Sequence, residues 1–178
     1  IYDDHSTDGS YDTALAWAER DSRISVARGE RRLGPTGSSN AAAAMAKTAL
    51  VARMDADDVL APDRLEAQLN ALQQYPDAVL IGSTFDMIDA NGRLMLRASS
   101  GRVGGDHPPI AHPSILYRRE AFEAIGGYRQ NTDYFEDRDL YLRIASYGPI
   151  VVVNRPLIHV RFAGQHALFN NLELRIKL

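Results

Sequence analysis

The chain alternates between two hydrophobic periods. Ile1 and Tyr2 form a strand stub that delivers Asp3 and Asp4 to a sheet edge, and Ser6-Thr7-Asp8-Gly9-Ser10 supplies turn and capping residues. Tyr11, Ala14, Leu15 and Ala18 recur at helical spacing, which predicts a helix over about Tyr11–Arg20. Arg23–Arg28 alternates like a half-exposed strand, and residues 29–37 read as a basic, glycine-containing flexible loop. An alanine-rich helix follows from Ser38-Ser39-Asn40 to about Lys47, then a short apolar run, Leu50–Met54, the pattern of a buried strand. Pro62–Tyr75 carries the clearest helical signal. It has proline at its start, Asp63 and Glu66 in its first turn, and Leu65, Leu69 and Leu72 on one face.

Ala78–Asp86 reads as another strand, and Asp89-Ala90-Asn91-Gly92 as a hairpin turn into Leu94–Arg97. Residues 98–109 are glycine-containing and aperiodic, a flexible loop by pattern. A short helix over Glu120–Ile125 stops at Gly126-Gly127. A longer one opens at Phe135 and runs to about Tyr147, with Leu140, Ile144 and the side of Tyr141 facing inward. Ile150–Val153 and Leu157–Arg161 read as two closing strands, and beyond Phe162 only a weak amphipathic tail is visible. Through Asp86 the order is strand, helix, strand, helix, strand, helix, strand, which implies parallel pairing by right-handed crossovers. After it the pattern is mixed.

A length of 178 residues with 45% hydrophobic and 24% charged positions suits one large globular domain. A net charge of −3 provides no basic footprint for nucleic acid or an anionic membrane, so any phosphate binding must be local. There is no cysteine, hence no disulfide framework and no thiolate site, and no apolar run of transmembrane length.

The chemistry concentrates where Leu50–Met54 ends in Asp55, Asp57 and Asp58, on the loop leaving a strand of an α/β sheet, where such sheets bind ligands. Three crowded carboxylates repel unless a cation sits among them. Mg²⁺ or Mn²⁺ fits, because these ions take one or two protein carboxylates and complete their shells with water and phosphate oxygens. The other reading is an acidic flank that favours the dipole of the next helix. An EF-hand loop is excluded, since Val59 falls on a ligand position and Leu60 on the required glycine.

Met54-Asp55-Ala56-Asp57-Asp58 followed by Pro62-Asp63-Arg64-Leu65 resembles the D-x-D region of the family 2 glycosyltransferases of GT-A fold. Ile1-Tyr2-Asp3-Asp4-His5-Ser6-Thr7-Asp8-Gly9-Ser10 resembles the family's "VDDGSTDGT", and Phe135-Glu136-Asp137-Arg138-Asp139-Leu140-Tyr141-Leu142-Arg143 its "EDxDLxxR". Each motif is weak alone, but three in the right order are specific. The resemblance implies a single Rossmann-like α/β domain over 1–178, with a parallel nucleotide-binding half (1–86) and a mixed-sheet acceptor half (87–178). It implies an inverting, metal-dependent transfer of a sugar from a nucleoside diphosphate sugar to an acceptor hydroxyl on a saccharide, a lipid-linked glycan or a protein. No nucleic acid partner is implied. A cytoplasmic protein follows from this reading, or a peripheral one at the inner face of a membrane. The chain has no initiator methionine and opens inside a strand, so a first strand and helix of roughly 30 residues are expected upstream.

By the same resemblance Asp57 holds Mn²⁺ or Mg²⁺, Asp55 faces metal or ribose, and Asp58 supports both. Asp4, with Asp3, accepts a hydrogen bond from the nucleotide base, which favours the imide N–H of UDP or dTDP; plain capping of the following helix is the alternative. The family pattern pairs an arginine with asparagine. Here Ser39 replaces the arginine and Asn40 is kept, either against the nucleotide or beside the acid loop, or as a helix-start residue. Arg31 or Arg32 would stand in for the arginine, unless they are solvated loop charges. His112-Pro113-Ser114-Ile115-Leu116-Tyr117-Arg118 resembles the strand beside the donor sugar, where His112 is a sugar or phosphate contact or a structural residue. Asp137 is the general base toward the acceptor, Glu136 its substitute, with helix capping as the other role. A sugar-phosphate nucleotidyltransferase and a non-catalytic nucleotide-sugar-binding module are the alternative functions.

Overall fold

A computed structural model describes residues 1–97, 110–132 and 135–162. The loop expected over 98–109 and the tail expected beyond Phe162 lie outside the described residues. The chain divides into two compact units, one of residues 1–48 and 126–140, the other of residues 49–125 and 141–178.

In the first unit β1 (Tyr2–Asp3) pairs in parallel with β2 (Ala27–Arg28), joined through helix α1 (Ser10–Arg20). This is the parallel crossover the sequence predicts, although the strand expected from Arg23 is confined to its last two residues. Tyr11, Ala14 and Ala18 are half-buried along one face of α1, and Leu15 is exposed. Gly9, at φ 84°, turns the chain into this helix. Helix α2 (Gly34–Ala44) starts four positions before Ser38, so residues 34–37 are helical rather than loop. Pro35 sits in its first turn, and the cap comes from a residue about thirty positions away, described below, which local pattern does not reveal.

The second unit is built on a six-stranded mixed sheet in which β3 (Leu50–Ala52), β7 (Leu116–Arg118), β5 (Leu80–Ile88), β8 (Ile150–Arg161) and β4 (Val59–Leu60) follow one another, and β6 (Leu94–Leu96) also pairs with β5. The strands β3 and β5 run in the same direction but do not touch, because β7 lies between them, antiparallel to both. Direct parallel pairing of these two strands is therefore corrected; the parallel neighbour of β5 is β8. As the edge strand β3 is half-buried, not buried.

Along one side of β5 three elements share the hydrogen-bonding edge. β7 pairs at Leu80 and Ile81, and β6 at Met87 and Ile88. Between them the Ser83 amide donates to Ser114 Oγ (3.0 Å), and Ser83 O accepts from the Ala111 amide (3.1 Å). The 3₁₀ turn His112–Ser114 thus fills the gap, which explains how a strand can be buried over most of its length with its backbone polar groups satisfied. The expected hairpin is present, with Gly92 at φ 81° and Asp89 Oδ1 accepting the amides of Asn91 and Arg93.

The two closing strands form one strand, β8, whose register against β5 shifts between Val153, opposite Ser83, and Pro156, opposite Thr84. Proline cannot donate to the ladder, so the extra residues bulge there and project Arg155 toward Asp63, 2.8 Å away. Strand β4, which the sequence reading missed, pairs antiparallel with Ile158 and His159. Leu80, Ile81, Ile115, Leu157 and Ile158 are fully buried, each worth about 1.5–3 kcal/mol.

Helix α3 (Arg64–Gln74) departs furthest from its pattern. Leu65 and Leu69 are 51% and 43% exposed, whereas Arg64 and Gln68 are 2% and 0% exposed. The helices α4 (Arg119–Ala124) and α5 (Glu136–Ile144) match their predicted positions, and Gly126 and Gly127 both have positive φ after α4.

Gly82 lies where β5 is covered by Ile110, and a Cβ there would overlap Ile110 Cγ2 and approach its Cγ1 to 2.9 Å. Gly82→Ala should therefore destabilise the protein by about 1–3 kcal/mol, as overpacking does. Urea unfolding of the variant measures this, and an unchanged midpoint would show that the close approach is not limiting.

Candidate functional site

The acids singled out in the sequence fall in both units. Asp3, Asp4, Asn40, Glu136 and Asp137 belong to the first, Asp55 and Asp57 to the second.

At the end of β1 the two neighbouring aspartates are used differently. Asp3 is buried, and its Oδ2 accepts from Arg28 Nε (2.6 Å) and from the Ser6 amide (3.2 Å). Burial raises its pKa, but the hydrogen bonds from Ser6 and Arg28 and the charge of Arg28 outweigh it and bring it to about 2. The guanidinium of Arg28 in turn lies 3.8 Å from the centre of the Tyr11 ring. Asp4 spans the start of α2, accepting from the Leu33 amide on Oδ1 (2.6 Å) and the Gly34 amide on Oδ2 (2.9 Å). It caps α2, whose own N-cap residue, Leu33, offers no side-chain acceptor. A carboxylate has about four lone-pair positions, so two amides do not exhaust it.

Asn40 Nδ2 donates to Tyr128 O (2.8 Å), and its Oδ1 accepts from the Tyr128 amide (2.8 Å). Both ends of the amide are thereby spent on one backbone residue just past Gly126-Gly127. Asn40 sits within α2 rather than at its start, and it holds the segment leading toward α5. In the first turn of α5 stand Glu136, Asp137 and Asp139, at the helix end where negative charge is favourable. Asp139 pairs with Arg129 at 3.4 Å, Asp137 Oδ1 accepts from the Arg138 amide (2.7 Å), and one carboxylate oxygen of Glu136 is shielded from solvent.

In the second unit the acid loop leaves β3. Asp55 Oδ1 is 2.7 Å from Arg53 Nη2, with 41% of the aspartate side chain exposed against 18% of the arginine. Asp57 is exposed and Asp58 is buried. Asp58 Oδ1 accepts from the Arg161 amide (2.9 Å), and Asp57 O accepts from Arg161 Nε (2.8 Å). Arg161 Nη1 also reaches Asp89 O and Ala90 O at 3.0 and 2.9 Å, so one arginine at the end of β8 ties the acid loop to the β5–β6 hairpin. From below, Arg64 Nη2 donates to Arg53 O (2.8 Å) and Ile115 O (3.2 Å). Burial and the nearby Arg53 lower the Arg64 pKa to about 10. His112 stands edge-on to Tyr141, with ring centres 6.4 Å apart. Burial and then Arg53 push its pKa well below the ordinary value, so its imidazole is neutral at pH 7.

Among the described residues no three His, Cys, Asp or Glu side chains converge. The donor set around Asp57 and Asp55 therefore suits a hard divalent cation that borrows most ligands from water and phosphate, as Mg²⁺ and Mn²⁺ do, and does not suit a cation caged by protein. Arg53, Arg64, Gln68 and Arg161 escaped the sequence reading. Arg64 stands in Pro62-Asp63-Arg64-Leu65, where the sequence gives it no role, and the partners of Arg161 lie 71 to 104 positions away.

A model of the family described as glycosyl transferase family 2 matches residues 1–126. The chain is 29% identical over 168 residues to an amylovoran biosynthesis glycosyltransferase of Erwinia amylovora, covering 90% of this chain and 62% of that protein. It is 30% identical over 155 residues to a putative glycosyltransferase of Bacillus subtilis, covering 83% of this chain and 56% of the relative. The chain thus spans less than two thirds of these relatives. Among solved structures, Staphylococcus aureus TarS 1–349 in complex with UDP-GlcNAc superposes with a TM-score of 0.75 at 16% identity, over 93% of this chain and 50% of that one. A mannosyltransferase from Pyrobaculum calidifontis in complex with GDP-Man and Mn²⁺ gives 0.71 at 18% identity, over 99% and 50%. The α/β fold is that of the GT-A enzymes.

A neutral, half-buried His112 must charge when the chain unfolds in acid. Because its folded pKa is depressed, its contribution is complete above the unfolded value of about 6.5 and is lost as pH falls below it, by up to about 1.4 kcal/mol per pH unit. Urea unfolding at pH 7.5 and 5.5 should show this loss in the wild type and a smaller one in His112→Asn. Equal losses in both would place the acid sensitivity elsewhere.

Proposed function

The chain belongs to glycosyl transferase family 2, and on that basis we propose that it carries the donor-binding and catalytic part of an enzyme transferring a sugar from a nucleoside diphosphate sugar to an acceptor hydroxyl. The observation that carries this reading is the acid loop. Its backbone is pinned by Arg161 and Arg64, Asp58 is buried as an anchor, and Asp57 is left exposed beside Asp55.

Asp57, with Asp55, would hold Mn²⁺ or Mg²⁺, which supplies positive charge where the diphosphate departs. The arginine beside Asp55 fixes the direction of that carboxylate. Asp4 retains lone pairs for the imide N–H of a uracil or thymine, while Asp3 is committed to Arg28 and supports it. Residues 1–86 supply the donor side and residues 87–178 the acceptor side. The acceptor is a hydroxyl of a saccharide, a lipid-linked glycan or a protein. Among the described residues no helix is long and apolar enough to cross a membrane, and work at the inner face of one is part of the proposal.

Deprotonation of the acceptor needs a carboxylate not engaged with the cation, because a bound cation lowers proton affinity. Asp137 in the first turn of α5 takes that role, with Glu136 as the substitute. One displacement without an enzyme nucleophile inverts the anomeric centre.

Two measurements test this. Asp57→Asn should weaken Mn²⁺-dependent UDP binding in calorimetry at least tenfold, as loss of a metal ligand does; unchanged binding would remove Asp57 from the metal site. In the intact protein Asp137→Asn should lower transfer about 10²–10⁴-fold with UDP·Mn²⁺ affinity retained. Near-normal turnover in that variant with Glu136→Gln inactive would move the base one residue back.

A further inference from the structure

Among the described residues, Arg64 is a buried cation with no carboxylate among its hydrogen-bond partners. Its Nε donates to Gln68 Oε1 (3.0 Å), and its Nη2 is shared between Arg53 O (2.8 Å) and Ile115 O (3.2 Å). Gln68 continues the network, donating from Nε2 to Ser114 O (2.7 Å) and Ile81 O (3.1 Å). The Arg53 amide donates to the same Ile115 carbonyl at 2.9 Å. The backbone of Arg53 is thus held from two sides, and its guanidinium is the group that pairs with Asp55 at 2.7 Å.

Stability alone does not call for this arrangement. Buried ion pairs are often replaceable by apolar side chains of similar volume at little cost or with a gain, so a buried charge is weak evidence for stability. Moreover, α3 carries leucines at positions 65 and 69 that would cover the sheet, and they are half-exposed while Arg64 and Gln68 face inward. The helix is turned so that a fork of fixed N–H donors lies under the loop that bears the acids. An arginine suits this task because its planar guanidinium can hold two carbonyls and an amide oxygen at once, which the compact ammonium of lysine cannot do in the same geometry.

We infer that Arg64 is a positioning residue for the donor site: by fixing the Arg53 carbonyl it sets the aim of the Arg53–Asp55 pair toward the nucleotide diphosphate and its cation. The inference rests on the donor-site reading given above. Arg64 touches neither donor nor acceptor. Its effect passes through the backbone of Arg53, in the way outer-shell partners of metal ligands orient them.

The test uses the intact protein with UDP and GDP as probes, Mn²⁺ affinity being followed by electron paramagnetic resonance of the free ion. Arg64→Met fills the same space without the donors. It should lower the thermal midpoint, because Gln68 Oε1 and the carbonyls of Arg53 and Ile115 lose their donor, and in the folded protein it should weaken Mn²⁺ binding in the presence of nucleotide about tenfold or more. Arg64→Lys, which restores charge and one donor, should recover part of that loss. Phe122→Leu, a core change in α4, serves as the stability control and should lower the midpoint while leaving Mn²⁺ affinity unchanged. Unaltered Mn²⁺ and nucleotide affinity in a folded Arg64→Met protein would overturn the inference. If Arg64→Met does not fold, Arg64→Lys decides, since it keeps the charge without the two-armed fork: Mn²⁺ binding weaker than in the wild type supports the inference and unchanged binding overturns it. A wild-type protein that binds neither nucleotide with Mn²⁺ would instead overturn the donor-site reading. Wild-type binding that is lost in Asp57→Asn and kept in Arg64→Met would sink the Arg64 inference alone.

Discussion

Among the described residues, a guanidinium buried against neutral acceptors is the constraint that organises the second unit. Withdrawing a charge from water is costly unless its donors are all met, and carbonyl oxygens are the acceptors at hand. Meeting that demand requires Arg53 and Ile115 to present their carbonyls at one place, hence β3 and the start of β7 side by side. It also requires Gln68 one helical turn further along α3, and Gln68 must reach Ser114 and Ile81. Ser114 then closes the edge of β5 at Ser83. The 3₁₀ turn, the antiparallel β7 and the inward polar face of α3 are connected consequences of one buried side chain.

This explains why the fold was only partly legible in the sequence. Elements with local causes were readable: α1 from its spacing, the Asp89–Gly92 turn from its residues, α4 from the glycines that end it. The order of strands was not. β3 and β5 carry the apolar runs of parallel neighbours, and nothing local says that residues 116–118 will be inserted between them. The bulge at Pro156 made one strand read as two, since proline breaks the pattern while the chain continues by shifting register. Leu65 and Leu69 of α3 misled for a related reason, while Leu72 packs on the core as its spacing predicts: periodicity reports where apolar residues lie on a helix, and here the polar network decides which part of the face turns inward.

The candidate site was legible in its acids and not in their partners. The carboxylates stand in short runs that can be read directly, whereas the cations and amides that hold them come from distant segments. Asp3 meets Arg28 across 25 positions, Asp4 meets Leu33 and Gly34 across about thirty, and Asp58 meets Arg161 across 103. Those separations belong to the tertiary fold, and no window of sequence contains both members. Asn40 shows the same limit, because its partner is a backbone group, which leaves no trace in side-chain pattern.

The doubled acids then acquire a physical meaning. In Asp3-Asp4 the first residue is buried in an ion pair and the second is partly exposed at a helix start; in Asp57-Asp58 the second is buried on a backbone amide and the first is exposed. Asp3-Asp4 lies at the end of a strand, where neighbouring side chains point to opposite sides, and Asp57-Asp58 lies in a turn closed by the Asp58 amide on Asp55 O, so in each pair one carboxylate is buried and its neighbour is more exposed. The division also separates electrostatic roles. Asp3 is kept ionised by Arg28 and the Ser6 amide, independent of what binds nearby, so its neighbour can accept a proton donor without the loop changing charge. The pairing of acids is therefore a way to hold a loop in place through one carboxylate while its neighbour stays nearer the surface.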